Sequence, residues 1–257
     1  MASLGEITGY LDRALKIARI PDYPQALNGL QLENGGEVTS VLAAVDACLP
    51  VVGQAVERGA QLLVVHHGLF WQGAQRIEGS LYRKLKAAID GGLAIYSAHI
   101  PLDVHPKIGN NALLAKAIGM PDPEPFFDWK GIPLGLRNRM DIPLSELVAR
   151  VSKAVQSPDP VHHCAGRSDG ETGVVGVVGV ITGGAGSEIA AIAEAGIDTF
   201  ITGEGPHWSY TAAEELGVNL IYGGHYATET FGVRALAKII GNKWGIPNSF
   251  IDHPTGL

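Results

Sequence analysis

The feature that most constrains this chain is an alternation that occurs twice. Short apolar runs at 41–45, 62–65 and 93–98 are separated by helix-like segments at 50–58 and 80–90. The pattern returns as runs at 174–181, 199–202 and 219–222, with helical periodicity at 187–195 and near 211–216. Short continuous apolar runs suit strands buried on both faces, and their alternation with helices implies a mainly parallel sheet. The repetition extends to residue identity. Gly59-Ala60-Gln61-Leu62-Leu63-Val64-Val65-His66-His67 is matched 137 residues later (67 to 204) by Gly196-Ile197-Asp198-Thr199-Phe200-Ile201-Thr202-Gly203-Glu204, which also puts Trp208 on Trp71. Ile95-Tyr96-Ser97-Ala98-His99 is matched 126 residues later (99 to 225) by Ile221-Tyr222-Gly223-Gly224-His225, placing Glu229 on Asp103. Leu114 to Gly119 is then answered by Leu236 to Gly241. The expected fold class is α/β: internally duplicated βαβαβα halves with mainly parallel sheets flanked by helices.

Three segments follow from this reading. A first α/β half at 1–120 carries His66, His67 and Asp103. A connector and helix occupy 121–157, because Pro121 to Pro133 is proline-rich and Leu144 to Val155 has a helical apolar face. A second α/β half at 158–257 carries His225 and Glu229, on a helix expected from Thr228 to Ile240.

Composition narrows the classes of function. With 26 acidic and 19 basic residues and no Lys/Arg runs, the net charge of −7 argues against nucleic acid as a partner. Two isolated cysteines, Cys48 and Cys164, suggest a reducing, cytoplasmic setting rather than a disulfide framework. No basic-then-apolar leader opens the chain. The longest apolar run, Val174 to Ile181, is far short of the roughly 20 residues of a spanning helix, so no membrane association is expected.

The chemistry-bearing residues lie where strands end. In parallel α/β sheets, ligands bind beyond the carboxyl ends of the strands. His66 and His67 close one strand, His99 and Asp103 follow another, and His225 and Glu229 follow its duplicate. Adjacent strand residues point to opposite faces, so His66 and His67 are expected to serve two neighbouring ions rather than chelate one. Facing carboxylates such as Asp103 and Glu229 would repel unless cations lay between them. Each residue alone reads as a core or surface side chain; their placement at equivalent strand ends selects His66, His67, Asp103, His225 and Glu229 as metal ligands. His162-His163-Cys164 is a competing cluster without a neighbouring carboxylate, and is set aside.

These blocks resemble one family. His66-His67-Gly68-Leu69-Phe70-Trp71, Ser97-Ala98-His99-Ile100-Pro101-Leu102-Asp103, Thr202-Gly203-Glu204 and Gly224-His225-Tyr226-Ala227-Thr228-Glu229 are similar to the signatures of the dinuclear-metal-centre hexameric proteins, the type 2-like GTP cyclohydrolase I homologues. Asn28-Gly29-Leu30-Gln31 and Gly183-Gly184-Ala185-Gly186-Ser187 fit the same pattern. The resemblance implies a duplicated α/β fold, a ring-shaped homohexamer and the same five ligands. It also implies opening of the guanine imidazole ring of GTP.

The expected cofactors are two divalent ions of the Zn, Mn, Fe or Co type, since mixed His and carboxylate ligands suit any of these. The expected function is metal-dependent hydrolysis of a small molecule, GTP or a related nucleotide or phosphoester, by water activated at the ions. His99 and Glu204 are the candidates for acid/base work or for orienting the ligands. The alternative is a non-catalytic metal-binding or scaffold ring. No GxxxxGK[ST] loop is present. The glycine-rich run at 183–187 reads as a βα turn or an anion seat, and Phe70, Trp71 and Trp208 as base-stacking, core or interface residues.

Overall fold

A computed structural model describes residues 2–157, 160–167 and 169–256. In chain order the first elements are β1 (Ala2–Ser3), α1 (Leu4–Leu15), β2 (Gly29–Leu32), β3 (Glu37–Val38), β4 (Val41–Asp46), α2 (Leu49–Glu57) and β5 (Leu62–His67). Then come α3 (Gly79–Asp90), β6 (Ala94–Ser97), α4 (Ile100–Asp103), α5 (Asn110–Ala117), β7 (Glu124–Trp129), β8 (Ile132–Arg139) and α6 (Leu144–Ala154). The remainder is β9 (His162–Cys164), β10 (Val177–Val180), α7 (Ile189–Glu194), β11 (Thr199–Thr202), α8 (His207–Leu216), β12 (Asn219–Tyr222), α9 (His225–Trp244) and β13 (Asn248–Phe250).

The chain divides into two units: Met1–Leu102 with Gly232–His253, and Asp103–Phe231 with Pro254–Leu257. Unit 1 holds a sheet of order β13-β4-β5-β6-β2, and unit 2 a sheet of order β7-β8-β10-β11-β12-β9. In unit 1, β4, β5 and β6 are parallel and β2 adds antiparallel to β6. In unit 2, β10, β11 and β12 are parallel and β9 adds antiparallel to β12. In each of these sets of four, the antiparallel strand precedes the three parallel ones along the chain and lies beside the last of them. The duplicated, parallel-rich α/β fold read from the sequence is therefore present in the strand order.

Each sheet is covered on both faces, which explains why its strands are continuously apolar. In unit 1, Leu42, Ala44, Leu63, Val65 and Ile95 pack on Val51, Val52 and Ala55 of α2 and Ala88 of α3. The opposite face buries Val41, Ala43, Val64 and Tyr96. Here the Tyr96 hydroxyl donates to Asp12 of α1 at 2.9 Å. In unit 2, Val178, Val180, Ile201 and Ile221 pack on α5 and α6. Phe200 and Leu220 pack on Ile189 and Ile192 of α7 and Ala213 of α8.

Four expectations need correcting. The β4–β5 register, Val41 with Leu62, recurs as Val178 with Thr199, confirming the 137-residue offset. But Leu62 pairs with Ala94 and Thr199 with Asn219, an offset of 125 (94 to 219), not 126. Because strand side chains alternate faces, that one-residue slip matters: Ile95 faces the α2/α3 side as Leu220 faces the α7/α8 side, whereas Tyr96 and Tyr222 lie on opposite faces. Within the ladders the two Ile-Tyr dipeptides are therefore one residue out of register.

Second, Pro121 to Pro133 is no connector. It is most of a hairpin, β7–β8, closed by Lys130 and Gly131, both at positive φ as the favoured two-residue turn requires. Pro125 is tolerated because β7 is an edge strand, and Pro133 because it stands in β8 ahead of the stretch that pairs with β10; Gly135 and Gly179 leave the space that the Phe126 ring fills. Third, the C-terminal segment Gly232–His253 belongs to unit 1, where β13 pairs with β4, rather than to a half spanning 158–257. The expected start of that half, at 158, lies outside the described residues. Fourth, α9 begins at His225, three residues before the expected Thr228. No helix among the described residues is long and apolar enough to cross a membrane.

Candidate metal centre

In unit 1 three imidazoles gather beyond β5 and β6. The ligand atoms of His66, His67 and His99 all lie within 4.8 Å of one another. Ring centroids are 4.9 Å apart for His66–His67, 4.9 Å for His66–His99 and 5.6 Å for His67–His99. The expectation that strand alternation separates His66 from His67 fails: both stand in the last two positions of β5, His67 in the final pair with Asp46, and their rings still converge beyond the strand end. A spread this small suits either one shared ion or two ions about 3.5–4 Å apart.

Each ring has its Nδ1 fixed. His66 Nδ1 donates to the Ala98 carbonyl at 2.9 Å, His67 Nδ1 to Asp46 Oδ1 at 2.9 Å, and His99 Nδ1 to Asp22 Oδ1 at 2.8 Å. Carbonyls and carboxylates only accept, so the proton sits on Nδ1 and Nε2 keeps its lone pair for a ligand. Asp22 is itself held by the Asn28 side chain (2.7 Å) and by the Tyr23 and Ile100 amides (2.7 and 2.9 Å). Burial pushes the Asp22 pKa up, but His99 and these donors outweigh it and hold the carboxyl below its usual value. The Asn28–Gln31 block fixes the loops. Asn28 accepts the His99 amide at 2.7 Å and Gln31 accepts the Leu69 amide at 2.6 Å. Trp71 stands edge-on to His67 and His99, with centroids 5.5 and 4.7 Å away.

In unit 2 the donors are mainly anionic. His225 and Glu229 are one turn apart at the start of α9, with Nε2 to Oε1 at 3.2 Å. Glu204, beyond β11, accepts from His225 Nδ1 at 2.9 Å. Burial disfavours a charged His225, yet hydrogen bonds and attraction from Glu229 and then Glu204 prevail, lifting its pKa to about 9. Asp103, buried like Glu229, accepts from Asn110 at 2.7 Å and from Thr182 Oγ1 at 3.4 Å. The next residue, Gly183, sits at φ +74°, where a Cβ would lie 2.3 Å from Glu229 Oε1 and 3.5 Å from His225 Nε2. The glycine-rich run is thus a turn cleared for Glu229, not an anion seat.

The donor chemistry fits divalent metal: neutral imidazoles with oriented Nε2 atoms and buried carboxylates are the ligand types Zn, Mn, Fe and Co use. His99, expected as an acid/base group, stands among the imidazole donors. Glu204, the other such candidate, orients His225. The sequence reading missed Asp22 and Asp46; Asp46 is flagged only by its place at the end of β4. His162 and His163 are strand residues of β9, His162 stacked on Tyr222 at 5° between ring planes. No three-donor group among the described residues includes them.

This is a duplicated α/β chain whose strand ends carry histidines and carboxylates that could hold a metal ion. The chain belongs to the Duf34/NIF3 (NGG1p interacting factor 3) family, whose profile matches residues 2–255. It is 40% identical to the GTP cyclohydrolase 1 type 2 homolog of Deinococcus radiodurans over 254 residues, covering 98% of this chain and 94% of that one. It is 39% identical to the protein of the same name from Pyrococcus abyssi over 252 residues, 98% of each. The solved structure of TTHA1606 from Thermus thermophilus superposes with a TM-score of 0.87 at 37% identity, covering 100% of both chains.

Proposed function

We propose that the protein is a divalent-metal-dependent hydrolase, with a dinuclear centre held by His66, His67, Asp103, His225 and Glu229. On this reading His66 and His67 supply nitrogen donors and Asp103 and Glu229 supply anionic ones, so that the ions offset the repulsion between the two carboxylates. The observation that carries the proposal is the common orientation of the imidazoles. The three histidines of unit 1 have Nδ1 bound to a carbonyl or carboxylate, which makes Nε2 the ligand atom, while His225 is held through Nδ1 by Glu204 with its Nε2 against Glu229.

Bound ions of this kind supply Lewis acidity and activate water near neutral pH. The chain's own groups do the rest. Asp46 and Glu204 hold His67 and His225 in the ligating tautomer. Asp22 does the same for His99, which either binds an ion or moves a proton. Trp71 walls the imidazole cluster on one side.

The relatives' name points to GTP or a related nucleotide as substrate, and the same reading carries a ring-shaped homohexamer, to be checked by native mass measurement. The functional test is a nucleotide panel including GTP, run with Zn, Mn, Fe and Co. Turnover by the reconstituted protein that is lost in Asp103→Ala supports the enzyme. Equal rates for the two proteins contradict it and favour the scaffold.

A further inference from the structure

We propose that the cavity beside His67 in unit 1 is a phosphate-binding subsite, holding a phosphoryl group of the substrate; assigning that group to the substrate rests on the hydrolase reading above. The cavity has a volume of about 320 Å³ and is lined by Asp46, His67, Trp71, Ser80 and Lys84 among others. Three independent features give it the chemistry of an anion seat.

The first is a cation without an anionic partner. Lys84 Nζ donates to the Ala47 carbonyl at 2.9 Å and makes no ion pair among the described residues. An ammonium carries three N–H donors, so two remain for a ligand. The one carboxylate on the wall, Asp46, is engaged by His67. The second is the buried Trp71 indole N–H. Buried donors are normally satisfied, and this one, on a residue of the cavity wall, finds no acceptor among the described residues. The third is a pair of helix starts. Cys48 and Leu49 at the head of α2, and Ser80 and Leu81 in the first turn of α3, line the same cavity. Neither helix has an acidic residue in its first turn; the first amides of α3 are open to an anion, whereas α2 offers fewer, because Pro50 has no N–H and the Cys48 sulfur engages the Val51 amide. Ser80 and Lys84 are four apart on α3 and share a face.

Metal-free full-length protein labelled with ¹⁵N-tryptophan tests this directly. Inorganic phosphate is titrated at constant ionic strength against chloride, and the Trp71 indole resonance is assigned with Trp71→Phe. The expected result is a saturable shift, weakened about tenfold or more by Lys84→Gln, which keeps a donor for Ala47. Lys84→Arg, which keeps the charge, retains binding. No shift, or a shift indifferent to Lys84→Gln, overturns the proposal.

A second arm separates the two readings. In reconstituted protein, Lys84→Gln should raise KM for a nucleoside triphosphate and leave the bare nucleoside untouched. Phosphate binding without turnover of any nucleotide leaves the subsite standing and removes the hydrolase. Turnover with no response of Trp71 to phosphate removes the subsite alone.

Discussion

The two units share a strand order but differ where it counts chemically. At the register of 137, unit 1 carries Asp46, His66 and His67 where unit 2 carries Gly183, Gly203 and Glu204. In unit 1, Asp46 orients the His67 imidazole. In unit 2, glycine at the equivalent point makes room for Glu229, and Glu204 orients an imidazole borne by α9 instead. One scaffold thus presents a cluster of imidazoles in one copy and mainly carboxylates in the other. The strand frame tolerates that exchange because the residues stand at or just past the last positions of the strands, where the ladders end.

The largest effects should come from the frame itself. Leu63 and Phe200 are register equivalents, both fully buried. Leu63→Ala should cost about 2–5 kcal/mol and Phe200→Ala about 3–5 kcal/mol in denaturant unfolding. A large difference between them would mean that the two cores do not play equivalent parts.

Next comes Gly183→Ala. A methyl group there meets Glu229 Oε1, and the positive φ adds about 1–3 kcal/mol of strain. Ion uptake through Glu229 should fail, while Trp71 fluorescence, which reports the unit 1 histidines, stays native. Wild-type metal titration in this variant would break the contrast drawn at Gly183.

Asp46→Asn and Glu204→Gln remove the orienting carboxylate in each unit. Each should weaken metal affinity by about 10–100-fold, measured by competition with a chelating dye. If only one does, the two carboxylates are not functional counterparts.

The smallest effects belong to the exposed ion pairs. Lys86–Asp90 in unit 1 is a simple i,i+4 pair at 2.6 Å, so Lys86→Met should change stability by less than about 0.5 kcal/mol. Arg150 in unit 2 pairs with Glu146 and also donates to the Ile118 carbonyl at 3.1 Å. Arg150→Met should therefore cost more than Lys86→Met.

Much of this was legible in the residues. The apolar runs marked β4, β5, β11 and β12 closely, because strands buried on both faces admit little else. His66, His67, His225 and Glu229 were marked by ending such runs. What escaped has physical reasons. The one-residue slip between β6 and β12 is invisible where both faces are apolar, since either register buries the same residue types. The β7–β8 hairpin was hidden by prolines that these positions tolerate. Asp22 lies in a loop, and only tertiary contact brings it to His99.

The most direct test is metal content. Full-length protein reconstituted with Zn or Mn and then dialysed should hold two ions per chain. His66→Gln and Glu229→Gln should each lower that number, with an unchanged unfolding transition in the metal-free state. Protein that retains no ion, or variants that bind as the wild type does, would contradict the assignment of these side chains as ligands.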